Sequence, residues 1–165
     1  LIEESFLHLQ SMVIRSSACQ NILFNETIVR SGDRDFAISL AVKSNAKYAY
    51  GLSKTGVWHR HAKSLTSNNS GNFLAMALDH IAYFSEYLAQ YSERPNTASI
   101  LKRELLENHI DASYQYRSKH ELGPSFKHLL ASAKYGFSPS QPREFVKIIV
   151  SALIHAFAAK SKAPK

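Results

Sequence analysis

The fold reading turns on Asp33-Arg34-Asp35-Phe36-Ala37-Ile38-Ser39-Leu40-Ala41-Val42. Its two aspartates suit the positive first turn of a helix, while Phe36, Ile38, Leu40, Ala41 and Val42 supply apolar surface and Lys43 follows at the negative end. The pattern predicts a helix over 33–42 with an acidic N-terminus. On either side the chain reads as short extended runs. Ser11-Met12-Val13-Ile14-Arg15 is rich in β-formers and predicts a strand, and Ser16 or Ser17 can then N-cap a short helix through Cys19 to Leu23. Tyr48 to Tyr50 and Gly56-Val57-Trp58-His59 predict two more extended segments across a Gly/Ser/Lys turn, and Ser64 to Gly71 a polar loop.

From Asn72 the period becomes helical. Phe73, Ala77, Ile81, Phe84 and Leu88 form one stripe, and Ile100, Leu101, Leu105 and Ile110 begin another after the Arg94-Pro95-Asn96 break. A third helix is expected from about Ser125 to Lys134, ending before Gly136. A fourth begins near Ser140 with Pro142 in its first turn, and its stripe of Phe145, Ile148, Ile149, Ala152, Leu153, Ala156 and Phe157 is expected to pack inward up to the basic tail from Lys160 to Lys165. Tyr83, Tyr87, Tyr91, Tyr114 and Tyr116 fall at helical spacings that suit the edges of a core. The expected class is α/β turning to mostly α: a strand and helix segment over 1–70, then a bundle-like helical extension over 71–165.

Composition bounds what such a chain can be. With 165 residues, 45 % hydrophobic and 20 % charged, it has the make-up of a globular protein and not of a disordered or collagenous one. The single cysteine, Cys19, excludes an internal disulfide framework and a cysteine zinc knuckle, which makes a reducing, cytoplasmic setting the expectation. No apolar run reaches the roughly 20 residues of a membrane span, and Glu3 and Glu4 stand where a signal peptide would be basic. The chain opens at Leu1 without an initiator Met and reads as part of something longer.

Three clusters carry chemistry: Phe24-Asn25-Glu26, Gly32-Asp33-Arg34-Asp35-Phe36, and Val57-Trp58-His59-Arg60-His61. Two aspartates one residue apart at a helix start point differently, so one can serve as a base while the other holds a polar substrate or orients Arg34. An imidazole at a strand end can complete a divalent metal site built otherwise from carboxylate and phosphate oxygens.

Taken in order over residues 10 to 62, these clusters resemble the distal, acceptor-side half of a family-two glycosyltransferase catalytic domain of the GT-A fold. That family sets a Phe-(Asp/Asn)-Glu step before a Glu-Asp-x-Asp-like helix start and closes a later strand with an aromatic-His pair. The resemblance implies an inverting transfer of a sugar from a nucleotide-diphosphate donor to an acceptor hydroxyl. It makes Asp33 the general base, with Asp35 supporting the helix start and the acceptor site. Arg34, Glu26 and Trp58 would bind substrate, and His59 would approach a divalent metal, Mg or Mn, and the diphosphate. Gly32 stands where many relatives carry Glu, which removes one carboxylate. The family's nucleotide-binding half, with its own metal motif, is expected upstream of Leu1, and the isolated 165 residues are expected to be inactive without it.

Plainer readings stand beside these. Asp33 and Asp35 can simply cap a helix, Glu26 can pair with Arg30, Trp58 suits a core, and His59 with Arg60 and His61 can be a solvated basic turn. Cys19 is most simply a small buried hydrophobe. His80, His109, His120, His128 and His155 show no His-x-x-x-His pair, which argues against zinc. The alternative function is a non-catalytic basic helical module for nucleic acid, a partner protein or a membrane. Lys and Arg are spread evenly, a poor match to a nucleic-acid face. Lys147, Lys160, Lys162 and Lys165 flank the last apolar stripe and would suit an anionic membrane, giving a peripheral location at its inner face.

Overall fold

The computed structural model describes residues 12–28, 30–44 and 70–161, with side chains of the last stretch from Phe73 to Ile154. The chain divides into two compact units, Leu1–Asn72 and Phe73–Lys165. The described residues are mostly helical and include no strand.

In the first unit, residues 12–15 are irregular. Arg15 has extended torsions (φ −68°, ψ 132°), but Val13 is fully exposed and no ladder forms. The expected strand is therefore corrected: an extended run becomes a strand only against a partner, and among the described residues it has none. The extended segments expected at Tyr48 to Tyr50 and Gly56 to His59 lie outside the described residues. The helix expected through Leu23 is shortened to one 3-10 turn, Ser16–Ala18, without a side-chain cap. Asn21 takes a left-handed φ of 64°, which stops any continuation. Helix α1 spans Gly32–Lys43. Six consecutive residues, Asp35 to Leu40, are buried. Phe36 and Leu40 close with Ile22 on a small core against which Ile14, Ala18 and Cys19 pack.

The second unit is a bundle of long helices. Helix α2 spans Ser70–Tyr91, so the last two residues of the expected loop belong to it, and α3 spans Pro95–Ser118 with proline in its first turn. Leu74 and Ala77 of α2 pack on Ala112 of α3, joined by Leu78, Ile81 and Tyr116. The buried arc of α2 is wider than its aliphatic stripe: Tyr83 is 2 % and Tyr87 5 % exposed, so both are core and not core edge, while Phe73 near the helix start is exposed. An aromatic series explains this, since Tyr83 meets Phe84 edge-on at 4.5 Å and His80 at 5.4 Å.

Helix α4, Leu122–Ser132, folds back along α3. The turn between them is a Schellman motif in which Glu121 N–H reaches Tyr116 O (3.0 Å) and His120 N–H reaches Arg117 O (2.9 Å), with His120 in the left-handed region at φ 63°. Ser113 and Ser125, both fully buried, let the two backbones approach, and Ser125 Oγ donates to Ser113 O at 2.8 Å. Gly136, at φ 148°, then turns the chain toward α5, Ser140–Ser161. Ser138 and Gln141 form half of a capping box before α5, the Gln141 Oε1 accepting the Ser138 N–H at 2.8 Å.

Helix α5 reverses the sequence expectation. Its seat on the bundle is mainly polar. Glu144 (4 % exposed) receives Arg117 of α3 in a two-pronged ion pair, Gln141 Nε2 donates to Ser132 Oγ of α4 at 2.8 Å, and Ile148 is the one large apolar side chain buried on the described part of α5. Phe145, Ile149 and Leu153, expected to pack inward, are 42–53 % exposed. The Arg117–Glu144 pair lies on the face of α5 turned to the bundle, and the apolar side lies away from it. No described helix is long and apolar enough to cross a membrane.

Candidate functional site

The front of α1 collects the described residues to which the resemblance gives a role. Asn25 builds an Asx turn, its Oδ1 accepting from Thr27 N–H (3.1 Å) and Thr27 Oγ1 (2.7 Å), which leaves Glu26 exposed. Phe24, just before this turn, stacks on Phe36 of α1 with centroids 4.2 Å apart and planes 9° from parallel. The stack ties the Phe24-Asn25-Glu26 step to α1 just past its first turn, so two clusters with five residues between them in sequence are neighbours in space.

Burial divides the aspartates. Asp35 is 4 % exposed and engaged, whereas Asp33 and Arg34 are half-buried. Asp33 Oδ1 accepts the Arg34 backbone N–H at 2.8 Å, satisfying one of the unpaired amides of the first turn, while Oδ2 accepts from no described residue. Ser31, which precedes the helix, does not cap it: its hydroxyl is buried without a hydrogen-bond partner among the described residues, and its carbonyl accepts Asp35 N–H at 3.0 Å. A carboxylate with one oxygen anchored is held in orientation, as general-base chemistry requires. The buried Asp35 suits a positioning role.

Trp58 and His59 lie outside the described residues. Among the described residues no three His, Cys, Asp or Glu side chains gather closely enough to hold a metal ion.

Sequence reasoning missed a second cluster, in the bundle. His109 of α3 and His128 of α4 join Nδ1 to Nδ1 at 3.0 Å, inside a stack in which Tyr135 lies on His109 and Tyr116 on His128. Burial, then His128 and Lys134, lower the His109 pKa to about 4, and burial and Lys127 lower that of His128. The two histidines sit on different helices, so no His-x-x-x-His spacing links them. Folding the sequence back on itself at the turn near His120 would have found the pair, because antiparallel helices bring 109 opposite 128 as they bring Ser113 opposite Ser125. His80 Nδ1 makes a third buried contact, 2.8 Å from Asn108 Oδ1, with Asn108 Nδ2 donating to Glu104 O.

No family model, curated protein or solved structure matches this chain.

Proposed function

We propose that the chain is the acceptor-side part of an inverting glycosyltransferase of the GT-A kind, followed by a helical extension. The observation carrying this reading is the half-buried Asp33 at the front of a helix whose residues Asp35 to Leu40 are buried, one carboxylate oxygen tied to its own first turn and the other accepting from no described residue, with Phe24 stacked on Phe36 of the same helix. In the proposed step the second oxygen of Asp33 takes the proton of an acceptor hydroxyl as that oxygen forms its bond to the anomeric carbon. The bond from that carbon to the donor diphosphate breaks on the opposite face with its electron pair leaving on phosphate, and configuration inverts. Asp35 and Arg34 position the turn and the acceptor, with Glu26 and Trp58 at its margin. His59 with a divalent Mg or Mn ion would supply the positive charge that the leaving diphosphate needs.

One observation favours a second reading. The Asp33–Arg34 amide bond is what a purely capping carboxylate makes, so a non-catalytic helical module is the alternative. The two part in a nucleoside-diphosphate release assay on the natural polypeptide carrying this sequence, run over a panel of nucleotide sugars with and without Mg or Mn. The enzymatic reading expects metal-dependent release that His59→Ala suppresses by at least about a hundredfold. Absence of release with every donor, or release indifferent to His59, would contradict it.

A further inference from the structure

We propose that α5 and the adjoining edge of α4 form a docking face for a bilayer bearing anionic headgroups, with α5 lying in the interfacial plane. This inference does not rest on the transferase reading. It begins with the inverted helix. Gln141, Glu144, Ile148 and Ser151, spaced three, four and three apart, face the bundle. The opposite side presents Phe145, Val146, Ile149, Val150, Leu153 and Ile154, two per turn and 42–61 % exposed. Leu130 (57 %) and Phe126 (39 %) of α4 extend the apolar patch, the Phe126 ring lying 6.0 Å from that of Phe145, and Phe137 (77 %) stands in the intervening turn. Exposed apolar side chains gathered on one helix face commonly mark an interaction surface.

Charge identifies the occupant. Lys and Arg are spread along the whole chain, but the acids are not. Residues 122–165 carry seven bases (Lys127, Lys134, Arg143, Lys147, Lys160, Lys162 and Lys165) against one acid, Glu144, whereas residues 1–121 carry thirteen bases against twelve acids. Six of the seven net positive charges thus belong to the last 44 residues. The lone acid is withdrawn from the surface, buried at 4 % and held by Arg117. Lys147 also lies 3.8 Å from Glu144 Oε2 but keeps 56 % of its side chain exposed, and Lys127, Lys134 and Arg143 are exposed too. An exposed apolar helix face in a segment that is otherwise almost uniformly basic fits the headgroup and acyl boundary of an anionic bilayer, which rewards each term separately. A nucleic acid would use the bases and leave the aliphatic surface wet. At 22 residues α5 is about 33 Å long, enough to lie along the surface, and it is not apolar enough to cross.

The test is co-sedimentation of the full 165-residue chain with vesicles of phosphatidylcholine alone and with about 30 % phosphatidylserine. Binding to the anionic vesicles is expected to exceed that to neutral ones by at least about tenfold at low salt and to fall as salt rises. Ile149→Ser with Leu153→Ser should lower it by at least about tenfold, and Arg143→Gln with Lys147→Gln should remove most of the preference for anionic vesicles. All four positions are exposed, and helix content by circular dichroism checks that the variants keep their fold. Equal partition to both vesicle types, or partition unaffected by the Ile149/Leu153 pair, overturns the proposal. So does self-association of the chain through this face, read by light scattering, if it leaves no vesicle binding: the occupant would then be a second copy.

Discussion

The imidazoles of His109 and His128 are joined by a single Nδ1–Nδ1 hydrogen bond of 3.0 Å between α3 and α4. Such a bond needs one N–H and one lone pair, so the two rings are neutral tautomers of opposite kind, or one of them is charged, but never both. Stacked between Tyr135 and Tyr116 and faced by Lys134 and Lys127, the pair resists protonation.

The direction of its pH dependence follows. His109 takes a proton at about pH 4 in the folded chain and near 6.5 when unfolded. Between those values the unfolded state binds more protons, so the contribution is complete above about pH 6.5 and is lost as pH falls through 4. Discounted for solvent screening, it is worth about 2 kcal/mol. Urea unfolding at pH 7.5 and 4.5 should show that loss, and His109→Phe, which keeps a ring against Tyr135, should flatten the profile over this window. A variant that loses stability as steeply as the parent would remove the pair from the account.

Arg117 and Glu144 pair on the face of α5 turned to the bundle. Glu144→Ala strands a guanidinium whose side chain is only 18 % exposed and should cost about 3 kcal/mol. Replacing both, Arg117→Met with Glu144→Leu, should cost less than the single change, because no buried charge is then left alone. Denaturation midpoints report the energies, and amide exchange along 140–151 reports whether α5 loosens.

His120 occupies the left-handed position of the α3–α4 turn. His120→Gly should therefore stabilise the bundle by about 1 kcal/mol, glycine having no Cβ to strain at φ 63°. An unchanged or lowered melting temperature would mean that the His120 side chain contributes more than its backbone costs.

Ser113 and Ser125 hold α3 and α4 at close range. Ser113→Ala, which keeps the small volume, should cost about 1 kcal/mol, and Ser113→Leu about 3 kcal/mol, since a fully buried site between two backbones has no room for three more carbons. Similar costs for the two would show that the helices can separate without penalty.

Local signals in the sequence were sufficient for α1 to α5 and insufficient for what turns them. Pro95, Pro142 and Gly136 mark helix ends that the structure also has. The strand at 11–15 fails because pairing is not local. The inward stripe on α5 fails because the face turned to the bundle holds Glu144, paired with Arg117 some thirty residues earlier. In the candidate site, the paired aspartates of α1 were legible from spacing and helix polarity, but their division into one buried and one half-exposed carboxylate was not. Neither was the Phe24–Phe36 stack, which depends on a turn made by Asn25.

In the proposed transfer, the Asp33 oxygen that does not hold the Arg34 amide removes a proton from an acceptor alcohol. Substituting Asp33→Asn keeps an oxygen to accept the Arg34 amide and deletes only the basicity, so it separates catalysis from capping. In the natural polypeptide, with donor and acceptor supplied, transfer to the alcohol should fall by about three orders of magnitude or more while unfolding stability stays within about 0.5 kcal/mol of the parent. Transfer at the parental rate, with Asn in that position, would contradict the assignment.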